Sequence, residues 1–112
     1  MMLTEGLNEI RDLLNTDINK GQFGTGSTAE TFTDTALGTA VSDTAETPTA
    51  STASQFLQKT TTTSSVEGNS NTLAEVAMFR TTSSIMMSRA VFNGIAKTNT
   101  QEIRAKVRYF FE

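Results

Sequence analysis

With no histidine and no cysteine among its 112 residues, the chain must draw any chemistry from carboxylates, hydroxyls, lysines and arginines. That removes the usual general base near neutral pH, the commonest metal ligand, and any thiolate or disulfide. A serine or threonine nucleophile would have no imidazole beside it, so the usual triad cannot be built. Asp34, Asp43 and Glu46 come nearest to a calcium cluster, but the alternating oxygen ligands of a calcium loop are missing. Gly24-Thr25-Gly26 lacks the Gly-Lys-Ser/Thr that completes a phosphate loop. Paired carboxylates for glycoside cleavage need a cleft, and a chain this small offers little of one. The expectation is a protein that is not an enzyme, with no catalytic residue, no metal and no cofactor.

A chain of this length fits one domain with a modest core. Its hydrophobic fraction of 37% is low, and the shortfall falls mostly in residues 21–65, where Thr, Ser and Ala dominate. Charge is also uneven. Residues 1–56 carry eight acids against Arg11 and Lys20, a balance of -6, whereas residues 57–112 carry +3. An acidic half and a basic half favour head-to-tail contact between copies. No basic block is dense enough for a nucleic-acid partner. The N-terminus lacks the basic and apolar regions of a signal peptide, and no apolar run approaches the ~20 residues of a membrane span. The expectation is therefore a soluble protein made in the cytoplasm, with neither membrane nor small-molecule partner.

The elements that would position these groups follow from periodicity. Leu3, Leu7, Ile10 and Leu14 recur at helical spacing, opposite Glu5, Glu9, Arg11 and Asp12, which predicts an amphipathic helix over residues 3–15. So short a helix is marginal alone, so its apolar stripe must dock on something. Asn15-Thr16-Asp17 and Asn19-Lys20-Gly21 read as stop signals. Residues 21–54 hold few large apolar side chains, among them Phe23, Phe32 and Leu37, and read as a long Thr/Ser/Ala-rich arm. Within it, Thr33–Gly38 looks like a capped single turn. Fully extended, the arm could reach on the order of 100 Å, far enough to touch a neighbour.

Residues 55–112 read as a β-sheet body. A β-branched run through Thr60-Thr61-Thr62-Thr63 gives a strand reaching about Glu67, and Gly68-Asn69-Ser70-Asn71 turns the chain. Residues 72–80 and 85–92 form two further strands, followed by a turn at Asn93-Gly94. In the last strand Ile103, Ala105, Val107, Tyr109 and Phe111 alternate with Arg104, Lys106 and Arg108. One face is core and the other a cationic ladder, either solvated or set against the acidic half of another copy. The fold class expected is mainly β, a small antiparallel sandwich preceded by one helix and the arm. Glu75 and Arg89, on adjacent strands, form a candidate structural ion pair beneath the helix or the loop.

Two stretches carry a resemblance. Phe23-Gly24-Thr25-Gly26 followed by Thr33–Val41, and Glu75–Phe79 followed by Met87–Phe92 and Ile95–Asn99, resemble segments of phage tail-fibre and tail-collar proteins, in the same order. The closing strand is similar to theirs in alternation. Ala40 stands where that family often has Glu, and residues 41–75 hold fewer strands than the relatives do. The resemblance implies a virion protein of a tailed virus, an attachment domain here without a fibre shaft. Its implied place is the tail tip, baseplate, collar or fibre-attachment region. Its partners would be copies of itself, as a trimer or ring, and other virion proteins. Leu3, Leu7, Ile10, Leu14, Phe23, Phe32, Leu37, Arg104, Lys106 and Arg108 are the candidate interface residues. The alternatives are a capsid decoration or turret-base protein and a host-glycan-binding module. The absence of Trp and the core-facing register of Tyr109 weigh against the glycan module.

Overall fold

The strand that organises the molecule is apolar along almost its whole length. In the computed structural model, which describes residues 3–53, 56–80 and 85–110, Leu73 to Phe79 are all buried. A strand buried on both faces needs cover on both, and the rest of the chain supplies it.

Six strands follow the helix α1 (Thr4–Asp17): β1 (Ile18–Gly24), β2 (Thr49–Ala53), β3 (Phe56–Thr63), β4 (Thr72–Arg80), β5 (Met86–Ala96) and β6 (Ile103–Phe110). They form two three-stranded antiparallel sheets, β1-β4-β5 and β2-β3-β6. The architecture is sandwich-like and mainly β, with one N-terminal helix. Phe23, Leu73 and Val76 make the core, with Val41, Phe92, Ile103 and Ala105 packed around them. Phe23 meets Phe92 edge to face, ring centres 6.4 Å apart. Ser88 and Tyr109 hydroxyls hydrogen-bond at 2.6 Å and tie β5 to β6.

Much of this interior is hydroxyl rather than hydrocarbon. Thr61 and Thr63 on β3 face inward and are buried, while Thr60 and Thr62 alternate outward. Thr63 Oγ1 accepts the amide of Ile103, and Thr44 Oγ1 accepts that of Phe23. The sheets approach tightly at Gly21, where an added Cβ would stand 2.7 Å from Thr61 Cβ. β3 also buries Lys59, whose ammonium reaches the carbonyl of Asn15 at 2.8 Å. That carbonyl is among those the last helical turn leaves unpaired, so the lysine serves as a cap. Burial pushes the Lys59 ammonium below its ordinary pKa.

Several expectations need correction. Residues 21–54 are not an extended arm. Their first residues belong to β1, Gly21 and Gly24 bridge to Glu46 and Ala40, Ser42–Thr44 makes a 3-10 turn, and Thr49–Ala53 is strand β2. The anchors are backbone hydrogen bonds, which need no apolar bulk. Asn19-Lys20-Gly21, expected to stop the chain, lies within β1. Thr33–Gly38 is not a helical turn. Asn93-Gly94 continues β5, because Gly94 lets Thr72 pack where a Cβ would stand 2.6 Å from Thr72 Cγ2. β3 ends at Thr63, short of Glu67. The turn at residues 68–71 stands, with Gly68 at φ 68° and Ser70 at φ 66°. Ser54 and Phe111 lie outside the described residues.

Adding a methyl group at this approach of the sheets should be expensive. Gly21→Ala is expected to lower unfolding free energy by about 1–3 kcal/mol, measured by urea denaturation. An unchanged midpoint would contradict so tight a contact.

Candidate functional site

The most concentrated polar structure in the molecule is a fully buried carboxylate on the face of β4 turned away from the core. Glu75 has 0% exposure, opposite Gly24 on β1 and Val91 on β5. An ionised carboxylate so placed is tolerated only with its lone pairs satisfied. Glu75 Oε2 accepts the amides of Gly26 at 2.7 Å and Thr39 at 2.9 Å, and Oε1 accepts the amide of Gly38 at 2.9 Å. Arg89 Nε adds a fourth donor, to Oε1, at 2.9 Å.

Arg89 is diagonal to Glu75 across the β4–β5 ladder, and its side chain is almost as buried. Its remaining nitrogens are engaged as well: Nη1 pairs with Asp34 Oδ2 and Nη2 donates to the carbonyl of Thr28, each at 2.9 Å. Asp34 in turn accepts the amide and hydroxyl of Thr31. Residues 25–39 thus form a loop closed at its base by the Thr25 amide on the Thr39 carbonyl, and its interior is a charge network rather than apolar packing.

The glycines are required for space, not for unusual dihedrals. A Cβ on Gly24 or on Gly26 would stand 2.5 Å from Glu75 Oε2, and Gly26 and Gly38 approach each other too closely for side chains. Gly24, Gly26 and Gly38 are therefore fixed by the space that the Glu75 carboxylate and the facing backbone take up. The signal was present in the sequence as three small residues that had to face one acid set in an apolar strand.

Burial alone would raise the Glu75 carboxyl, but the amides of Thr39 and Gly38, the Arg89 guanidinium and the Gly26 amide outweigh it and hold it below the ordinary range. The bonds from the Thr31 amide and hydroxyl lower Asp34, with Arg89 adding to the effect. Glu75 raises Arg89 further above its ordinary value.

The network leaves little free for chemistry. Every guanidinium nitrogen of Arg89 has an acceptor, and both Glu75 oxygens are occupied. An open hollow of about 400 Å³ lies beside it, rimmed by Phe32, Met86 and Met87. Among the described residues no group of three or more acids gathers where it could hold a metal, and no helix is long and apolar enough to cross a membrane.

The remaining candidate residues scatter. Phe23 is wholly buried in the core rather than at a surface, because β1 faces the opposing sheet. Phe32 is fully exposed on the loop, and Leu37 is half-buried. No residue of α1 is buried. Leu7 and Leu14 are half-covered, while Leu3 at 69% and Ile10 at 37% face outward together with Leu13. The expected docking of the whole stripe is therefore only partial, since the helix is held mainly through its C-terminal half. Arg104, Lys106 and Arg108 form the expected outward ladder on β6. Comparison with protein-family models, curated proteins and solved structures yields no match.

Glu75→Gln puts an amide group against backbone donors and leaves Arg89 without its buried anion. It is expected to cost about 3 kcal/mol or more, read by chemical denaturation. The pH dependence has a definite sign. The folded carboxyl titrates below its ordinary value of 4.5, so its contribution is complete above that value and is lost as pH falls through the folded one. Wild-type stability should therefore drop on acidification below about pH 4.5, and Glu75→Gln should flatten that drop. Equal acid sensitivity in the two proteins would contradict the assignment.

Proposed function

We propose that the chain is a structural subunit of a tailed virus particle, placed in the tail tip, baseplate, collar or fibre-attachment region, and that it acts by assembly rather than catalysis. The observation that carries this reading is that the two stretches resembling tail-fibre and tail-collar proteins, far apart in sequence, meet at one site. Gly26, Gly38 and Thr39 of the first donate to Glu75 of the second, and Arg89 of the second pairs with Asp34 of the first. The resemblance thus falls on residues that need one another physically.

Assembly is supported by what the fold leaves uncovered. Leu3, Ile10 and Leu13 on the helix, Phe32 on the loop and Phe110 on β6 are exposed apolar side chains in a chain with little hydrocarbon to spare. Against an enzymatic role stand the missing imidazole and thiol and the saturated network at Glu75. Against a glycan-binding module stands Tyr109, which spends its hydroxyl on Ser88 inside the sandwich.

Washed, gradient-purified particles are expected to contain the chain in multiple copies by quantitative mass spectrometry, with antibody labelling confined to the tail or its attachment point. Absence from washed particles would overturn the reading. Labelling spread over the shell would transfer it to capsid decoration.

A further inference from the structure

Pairing the charges within one copy leaves an uneven remainder. Among the described residues Asp17 pairs with Arg80, Asp34 and Glu75 with Arg89, and Asp12 with Arg11. Asp43, Glu46 and Glu67 accept backbone amides. Glu5 and Glu9, both exposed on α1, have no such partner among the described residues, nor have Glu30 and Glu102. On the basic side Lys59 and Lys97 are buried and hydrogen-bonded, and Lys20 lies over the Phe79 ring. Arg104, Lys106 and Arg108 remain outward on β6 and enter none of the ion pairs among the described residues. Arg108 is held in place by Gln58 and by stacking over Phe56.

The two remainders have matching geometry. Glu5, Glu9 and Leu13 lie four residues apart along one helix edge, steps of about 6 Å. Lys106, Arg108 and Phe110 lie two apart along one strand face, steps of about 7 Å. Each line is two like charges followed by an exposed apolar side chain, with Leu13 at 59% and Phe110 at 63% exposure. Phe110 is backed by Phe56, ring centres 6.1 Å apart, so the apolar end of the strand line is a broad aromatic surface. Within one copy the helix sits at the ends of β2 and β3, fixed by Arg11 on the Ala53 carbonyl and by Lys59 on the Asn15 carbonyl.

We infer that the free face of α1 docks on the outer face of β2-β3-β6 of a second copy, with Glu5 and Glu9 against Lys106 and Arg108 and Leu13 on Phe110 and Phe56. This deepens the assembly reading and rests on it. The contact is heterologous, joining two different surfaces, so repetition generates a ring where the rotation closes and a filament where it does not. Arg104 flanks the line and adds to the attraction, which salt weakens.

The test uses full-length chains and analytical ultracentrifugation. Glu5→Lys/Glu9→Lys makes the helix cationic, and Lys106→Glu/Arg108→Glu makes the facing part of the ladder anionic. Each variant alone sets like charges against each other and is expected to lower the self-association constant by roughly tenfold or more. Mixing the two restores opposite charges at every contact, so the mixture should assemble where neither component does. That rescue also shows that both variants fold. If wild type assembles and the variants assemble equally well, this interface is wrong and the assembly reading survives. If wild type stays monomeric at all concentrations, both fall. A monomer that binds polyphosphate through Arg104 and Lys106 would assign the face to a polyanion instead.

Discussion

A carboxylate placed inside protein must be met by donors or lose its charge, and Glu75 is met by four. Three of these are backbone amides from a loop nearly devoid of apolar anchors, the fourth a guanidinium whose other nitrogens hold the same loop from its far side. The loop therefore has a definite course without a hydrophobic core of its own. The buried pair need not add much net stability, since desolvation offsets most of its attraction. What it adds is uniqueness, because any other course for residues 25–39 strands a charge beneath them. The three glycines follow from the same demand, as a side chain at any of them would occupy the carboxylate's space or crowd the facing backbone.

The interior of the sandwich obeys a similar logic. With Thr61, Thr63 and Thr44 facing inward, the sheets are joined by hydroxyls as well as by Phe23 and its neighbours. Small side chains let the layers approach, and Gly21 against Thr61 marks the limit of that approach. Thr61 Oγ1 has no hydrogen-bond partner at this contact, a local cost of bringing the sheets together. Lys59 converts another inward polar position into a clamp on the helix, whose remaining apolar edge stays open. The centre is thus tied by hydroxyls and buried charges, while Leu3, Ile10, Leu13, Phe32 and Phe110 stay exposed at the surface.

How much of this was legible in the sequence depended on which physical signal each element carried. β6 was fully legible, since Ile103, Ala105, Val107 and Tyr109 face in and Arg104, Lys106 and Arg108 face out as strict alternation requires. The Glu75–Arg89 pair was legible because an acid and a base sat on adjacent apolar strands. β1 was missed because Gly21 looks like a breaker unless Thr61 is known to stand against it. β2 was missed because all five of its residues are exposed, so it carries no burial periodicity. The loop's course was hidden for a different reason: backbone amides do the binding, and every residue but proline has one. Only the glycine spacing and Asp34 pointed to it.

Amide hydrogen exchange at Gly26, Gly38 and Thr39 measures most directly whether the buried carboxylate organises the fold. Gly38 and Thr39 are exposed residues, as are Ala29 and Glu30 nearby. If Glu75 holds their amides, Gly26, Gly38 and Thr39 exchange only through opening of the sandwich, with protection approaching that of β4 amides. Ala29 and Glu30, with no part in the network, exchange at loop rates. Exchange of Gly26, Gly38 and Thr39 as fast as that of Ala29 and Glu30 would contradict the account.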